Sequence, residues 1–224
     1  PGEFVQAIID TRTYEDGSYL MFVTKKGVVK KARMNDYNTR ISSGLIAVSL
    51  REDDELVGVI QTNGENDIFL TSKDGMTIRF SEEKVRPMGR SASGVRGMKL
   101  KNETDCVVGC DVARPDGKIL YVSSKGYGKR TDQEAYNSQN RGGQGVRGVK
   151  VSDERGQVVA AFIVDESDEV LVFSSAGNII RTKVSDISIQ GRAASGVRVS
   201  KPGEDENIVA VARVLEREDN GDID

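Results

Sequence analysis

The chain of 224 residues has no histidine, only two cysteines and no long apolar run, and each shortage removes a class of function. Without histidine or further thiols, a zinc finger, a histidine-containing triad or a histidine general base cannot be built from this chain alone. Cys106 and Cys110 lie four residues apart. On an extended chain that separates their Cα atoms by about 13 Å, too far for a disulfide. Free thiols favour an intracellular protein. No stretch approaches the roughly 18 apolar residues of a membrane span, so no membrane partner is expected. The first residues, PGEFVQAIID, lack the layout of a signal peptide and begin abruptly, as in a piece of a longer protein. No acid pair, nucleophile with base, or metal-ligating cluster recurs at a workable spacing. The expectation is a domain with no catalytic residues, no metal and no cofactor.

Charge is scarce in sum but not in place. The formal net charge is −3, yet residues 216 to 224, EREDNGDID, set five acids against one arginine. The body of the chain is therefore close to neutral and the tail acidic. Such a run reads as disordered, solvated chain.

What the sequence has in quantity is repetition. VTKKGVVKK, TSKDGMTIR, VSSKGYGKR and FSSAGNIIR place Gly27, Gly75, Gly126 and Gly177 at spacings of 48, 51 and 51 residues. TRISSGLI, GRSASGVR, NRGGQGVR and GRAASGVR place Gly44, Gly94, Gly145 and Gly196 at spacings of 50, 51 and 51. Before each glycine of the first set stands a short apolar run: LMFV, IFL, ILYV and VLVF. These are apolar on both parities and too short for helices, so they read as strands buried on both faces. A second apolar strand opens each module, in VQAII, LVGVI, VVGC and VVAAFIV, and returns a fifth time as IVAVARV with no module after it. Strand-rich repeats of about 50 residues indicate a bladed, propeller-type fold. The unmatched last strand suggests that neighbouring modules exchange strands. Residues 1 to 215 are expected to form one all-β domain, an open arc of four blades at about 5–56, 57–106, 107–157 and 158–214, with single helical turns possible in SEEKVRP, TDQEAYN and VSDISIQ.

Gly143, Gly145 and Gly148 also spell the dinucleotide-binding fingerprint Gly-x-Gly-x-x-Gly. That motif needs a strand before it and a helix opening on it. VKVSDERGQVVAAF follows instead, a strand, a turn and a strand, so the match is a coincidence of composition.

Aligning the modules exposes three basic columns. Arg40, Arg90, Arg141 and Arg192 precede the second-set glycine by four residues; Arg96, Arg147 and Arg198 follow it by two, with Ile46 in the first module; Lys31, Arg79, Arg130 and Arg181 follow the first-set glycine by four. The acids cluster elsewhere, in REDDE, NGEND, NETD, SDERG, DESDE and PGEDEN. A repeat fold displays equivalent positions at equivalent angles, so the columns are expected to line one rim that meets phosphate. The alternative is that the arginines pair with loop acids and tie blades together. Gly142 and Gly143 replace the bulkier pairs of the sister modules. Beside Arg141 they read either as an anion-binding nest or as a tight turn.

The stretch Gln139-Asn140-Arg141-Gly142-Gly143-Gln144-Gly145 resembles, at five of seven positions, the Gln-Arg-Arg-Gly-Gly-Lys-Gly box of the C-terminal domain of the DNA gyrase A subunit. GVVKK, RPMGR, SGVRGM and VRGV are similar in register. The departures, Asn140 and Gln144, remove two positive charges, which fits an accessory box on a late blade. The resemblance implies a β-pinwheel that binds and bends double-stranded DNA around a basic rim so that the enzyme introduces negative supercoils. It assigns the DNA contacts to Gln139, Arg141, Gly142, Gly143, Gly145 and the three columns. It also implies a monomeric, non-catalytic fragment partnered by the rest of the gyrase A subunit and by the gyrase B subunit in an A2B2 enzyme, in the bacterial cytoplasm with the nucleoid. The equivalent domain of topoisomerase IV, and a bladed protein-interaction scaffold, are the rival readings.

Overall fold

The computed structural model describes residue 8, residues 17 to 38 and residues 44 to 214. Arg40, the acidic tail and all of VQAII but Ile8 lie outside the described residues. The strands in chain order are β1 (Tyr19–Thr24), β2 (Val28–Arg33), β3 (Leu56–Thr62), β4 (Asp67–Ser72), β5 (Met76–Ser81), β6 (Val95–Arg96), β7 (Val107–Val112), β8 (Lys118–Ser123), β9 (Tyr127–Asp132), β10 (Val146–Arg147), β11 (Val158–Val164), β12 (Glu169–Ser174), β13 (Ile179–Lys183), β14 (Val197–Arg198) and β15 (Ile208–Val214). The only helices among the described residues are single 3-10 turns. Three fall at Glu82–Lys84, Gln133–Ala135 and Val184–Asp186, inside the three expected segments, and a fourth at Met34–Tyr37.

The apolar runs become the middle strands β1, β4, β8 and β12, each turning back through its glycine into β2, β5, β9 or β13. The four sheets are antiparallel, ordered β3-β1-β2-β6, β7-β4-β5-β10, β11-β8-β9-β14 and β15-β12-β13. The first three blades therefore borrow twice from the module that follows. The borrowed pieces are that module's opening strand, laid on the inner side, and its Val-Arg pair, laid on the outer edge.

The second loan stops at the fourth sheet, which has three strands and leaves Ile179 and Ile180 on β13 exposed. Among the described residues no strand of the first blade pairs with the fourth. The glycines record the same ending. A Cβ on Gly126 would be driven onto the carbonyl oxygen of Ser200 in the donated segment, whereas one on Gly177, at φ +85°, meets nothing within 4 Å.

Three apolar cores fill the spaces between successive blades. Met21, Val23, Ile68, Leu70, Phe80 and Met98 pack the first space. Phe69, Ile119, Tyr121, Tyr136 and Ile163 pack the second, and Leu120, Val122, Val170, Val172 and Ile208 the third. Middle strands thus send alternate side chains to both neighbours, as their double-parity pattern predicts. Burial of one such side chain contributes about 1.5–3 kcal/mol. The inner strands β3, β7, β11 and β15 line a common channel, with free Cys110 on its wall and a thiol pKa that burial pushes up to about 12.

Candidate nucleic-acid interface

The three basic columns part company in the structure. The column Lys31, Arg79, Arg130 and Arg181 does not line an open rim as expected. Lys31 is 4% and Arg130 3% exposed, too buried to meet a large ligand. Lys31 Nζ lies 2.8 Å from the buried Glu82 carboxylate, in the 3-10 turn of the second module, and over the Tyr19 ring. Arg79 donates to Asp67 at 2.7 Å and to the carbonyls of Gln133 and Tyr136 around the next module's turn. Arg130 repeats that grip one blade further on, donating to the carbonyls of Ile187 and Ser185 and to Glu166, whose carboxyl it holds below the usual range. Arg181 is exposed but pairs with Glu169 of its own hairpin. The strand period points Lys31, Arg79 and Arg130 at the neighbouring blade, while Asp67 of NGEND and Glu166 and Glu169 of DESDE meet Arg79, Arg130 and Arg181. They are ties between and within blades.

Glu82 shows what such a tie is worth. Its carboxylate accepts from Thr62 Oγ1 at 2.7 Å and from the backbone N–H groups of Gly64 and Asn66 at 2.9 Å, besides Lys31. Glu82→Ala strands a buried ammonium and two N–H groups. The expected loss is about 3–5 kcal/mol in chemical denaturation, with the salt dependence of DNA binding unchanged.

The other two columns stay at the surface. Arg90, Arg96, Arg147 and Arg198 are exposed, and Arg141 and Arg192 are half-buried. None of the six lies within ion-pair distance of a carboxylate among the described residues. Their loops also touch one another in succession. Ile46 and Ser49 share a depression with Arg90 and Ser91. Gly97 accepts from Gly142 N–H at 2.6 Å, and Lys99 N–H donates to Gly143 at 2.9 Å. Val146 and Arg147 share a depression with Gly191 to Ala194. The second-set loops therefore form one continuous edge across all four modules.

Within the box the structure corrects part of the nest reading. Gly142 has φ +82° and spends its N–H on Gly97, so it serves a turn. Gly143 has an ordinary φ, and a Cβ there would make only ordinary contacts with Asn140, Ile78 and Gln139, so no fold requirement explains the glycine. Gly145, at φ +76°, packs on the backbone of Thr77, and Gly148 against the Tyr121 hydroxyl. Neither opens a helix. Gln139 N–H donates to Arg79 O, and its own carbonyl accepts from Lys84 Nζ. Arg141 reaches back to the carbonyls of Lys84 and Arg96, at 2.8 and 3.0 Å. Arg198 lies against Tyr127, with its guanidinium carbon 4.2 Å from the ring centroid and Arg155 at the same distance.

The edge also holds a column that the sequence reading missed. Lys99, Lys150 and Lys201, each three residues beyond an arginine of the Val-Arg pairs, are exposed. Their spacing was visible, but lysine is scattered through the chain and the column breaks at Ser49 in the first module.

A bladed β-repeat whose second-set loops string arginines without a carboxylate partner along one edge is, by fold and surface together, a propeller-type domain with a basic edge. The family model described as "DNA gyrase C-terminal domain, beta-propeller" matches residues 18–63, 66–114, 117–165 and 168–214. The chain belongs to that family. It is 42% identical over 222 residues to the DNA gyrase A subunit of Salmonella typhimurium, covering 99% of this chain and 25% of the relative. It is 40% identical over 215 residues to the same protein of Mycolicibacterium smegmatis, covering 95% and 25%. The chain thus spans about a quarter of the curated relatives it matches. A solved DNA gyrase A C-terminal domain superposes with TM-score 0.83 at 28% identity, over 93% of this chain and 70% of that one. The C-terminal domain of DNA topoisomerase IV superposes with TM-score 0.85 at 27% identity, over 92% and 64%.

Proposed function

We propose that this chain binds duplex DNA along its outer basic edge and bends it, as the wrapping part of a DNA gyrase that introduces negative supercoils. The observation that carries the reading is the unbroken succession of loops bearing Arg90, Arg96, Arg141, Arg147, Arg192 and Arg198 with no carboxylate paired to them among the described residues. An evenly spaced line of cations on a curved edge matches a curved line of phosphates, and such contacts give affinity without reading sequence. Gln139, Gly143 and Gly145 shape the loop that lets the backbone come close. In this reading strand cleavage and ATP hydrolysis belong to other parts of the enzyme. The partners are the rest of the gyrase A subunit and the gyrase B subunit, in the bacterial cytoplasm at the nucleoid, and the isolated chain is monomeric. Topoisomerase IV shares the fold but fits less well, because relatives above 40% identity over nearly the whole chain are gyrase proteins.

The test is a salt titration. With about five phosphates contacted, log K against log salt should fall with a slope of roughly −4.5, equally for unrelated duplexes. A slope near zero would favour the protein-scaffold reading.

A further inference from the structure

The residue just before each member of the tie column alternates along the chain: Lys30, Ile78, Lys129, Ile180. Both lysines are fully buried, 1% and 0% exposed, and neither is within ion-pair distance of a carboxylate among the described residues. Each ammonium is held by carbonyl oxygens instead. Lys30 Nζ donates to Arg90 O at 2.5 Å and Ala47 O at 2.8 Å. Lys129 Nζ donates to Gly191 O at 2.6 Å and Arg192 O at 2.7 Å. The acceptors include the backbone of the rim arginine in the following module.

The isoleucine blades show the contrast. Over Ile78 lies the loop of Gly142 and Gly143, which no buried lysine holds from beneath; the exposed Lys84 donates to its near end, at Gln139 O and Asn140 Oδ1. There Arg141 pins its own loop, spending its guanidinium on Lys84 O and Arg96 O. Where a lysine does the pinning, the Arg90 and Arg192 guanidinium groups make no hydrogen bond to a backbone carbonyl among the described residues, and Arg192 rests only over the Tyr136 ring. A buried ammonium with no carboxylate at ion-pair distance is unfavourable, although Asp36 acts on Lys30 from further off, and isoleucine fills the equivalent buried position at Ile78 without that cost. An anion arriving at the loop supplies the missing opposite charge.

We propose that Lys30 and Lys129 are positioning residues for the polyanion: each fixes the loop of the next module from beneath, frees that loop's arginine, and places a positive charge directly behind it. The proposal rests on the DNA-binding reading.

The experiment measures the affinity of the whole chain for a random-sequence linear duplex, with Lys129→Ile, Arg192→Ala and the double variant. Lys129→Ile should weaken binding about fivefold, the contribution of one phosphate contact at 0.15 M salt, while thermal stability holds or rises. Because Lys129 acts through the Arg192 loop, the double variant should lose less than the product of the two single losses. A pH series adds a readout that packing alone would not move. Burial pulls the Lys129 ammonium down to about 8, so its charge is present below that pH and lost as pH rises through it. Tyr121 and Tyr136 beneath it stay protonated there, burial having pushed the latter up to about 12. Wild-type affinity should therefore decline between pH 7 and 9 more steeply than that of Lys129→Ile. Equal affinity of Lys129→Ile and wild type, or parallel pH profiles, would overturn the proposal. Should Lys129→Ile not fold, Lys129→Met takes its place, and a flat wild-type profile overturns the proposal without any variant. Absence of salt-dependent binding by the wild type would sink the DNA reading first and this proposal with it.

Discussion

Replacing Arg96, Arg147 and Arg198 together by alanine is expected to weaken duplex binding by about two decades at 0.15 M salt and to flatten the salt slope by about 2.7. These three occupy equivalent places at the outer ends of successive blades, on strands only two residues long. Each phosphate neutralised contributes about 0.9 to the slope, which at 0.15 M is about fivefold in affinity, and separated contacts add. Little stability should be lost, because Arg147 contributes only its backbone to the pairing with Met76 and Arg96 lends its carbonyl to Arg141. Arg198 is the exception, donating to Lys125 O and stacking on Tyr127, and a loss of about 1 kcal/mol should trace to it. The same three changes in the tie column are a control. Arg79, Arg130 and Arg181 replaced by alanine should unfold the protein well before any change in salt slope can be read.

The second large effect concerns two glycines that sequence alone cannot tell apart. Gly126 and Gly177 stand 51 residues apart at the same repeat position, with φ of +78° and +85°. An alanine in the left-handed region costs about 1–2 kcal/mol at either place. At Gly126 the new Cβ also strikes the Ser200 carbonyl and pries away the segment whose Val199 and Ser200 N–H groups donate to Gly126 O, at 2.9 and 3.1 Å. Gly126→Ala should therefore cost about 4 kcal/mol and Gly177→Ala about 1, in chemical denaturation of the two variants side by side. Equal losses would mean that the donated strand contributes nothing at this contact.

That pair also shows how far the sequence could be read. Two glycine sets with one period, and apolar runs too short for helices, were enough for the blades and the turns. The unmatched IVAVARV announced the strand exchange, because a strand with no module of its own must serve the module before it. The direction of side chains was not legible. Lys31 and Arg96 both belong to columns fixed by the repeat, yet one lies against Glu82 in the next module's turn and the other faces solvent. Spacing records recurrence, whereas burial depends on which element of the following module lies over the strand. The same blindness hides Lys30 and Lys129, whose alternation with Ile78 and Ile180 gains meaning only from ammonium groups that end on loop carbonyls. In the box, Gly142 could be assigned to a turn only once its N–H was found committed to Gly97.

Because each inner strand completes the blade before it while the chain runs on into the blade after it, the unit that repeats in the gene and the unit that packs in space are out of phase by one strand. A duplication of one full period therefore copies a junction rather than a blade. Every new donor finds an acceptor already made, since β3, β7, β11 and β15 meet β1, β4, β8 and β12 in the same antiparallel manner. Such a protein can grow or shrink by whole periods without redesigning any interface. The number of blades, and with it the length of the basic edge, is then open to change by recombination alone.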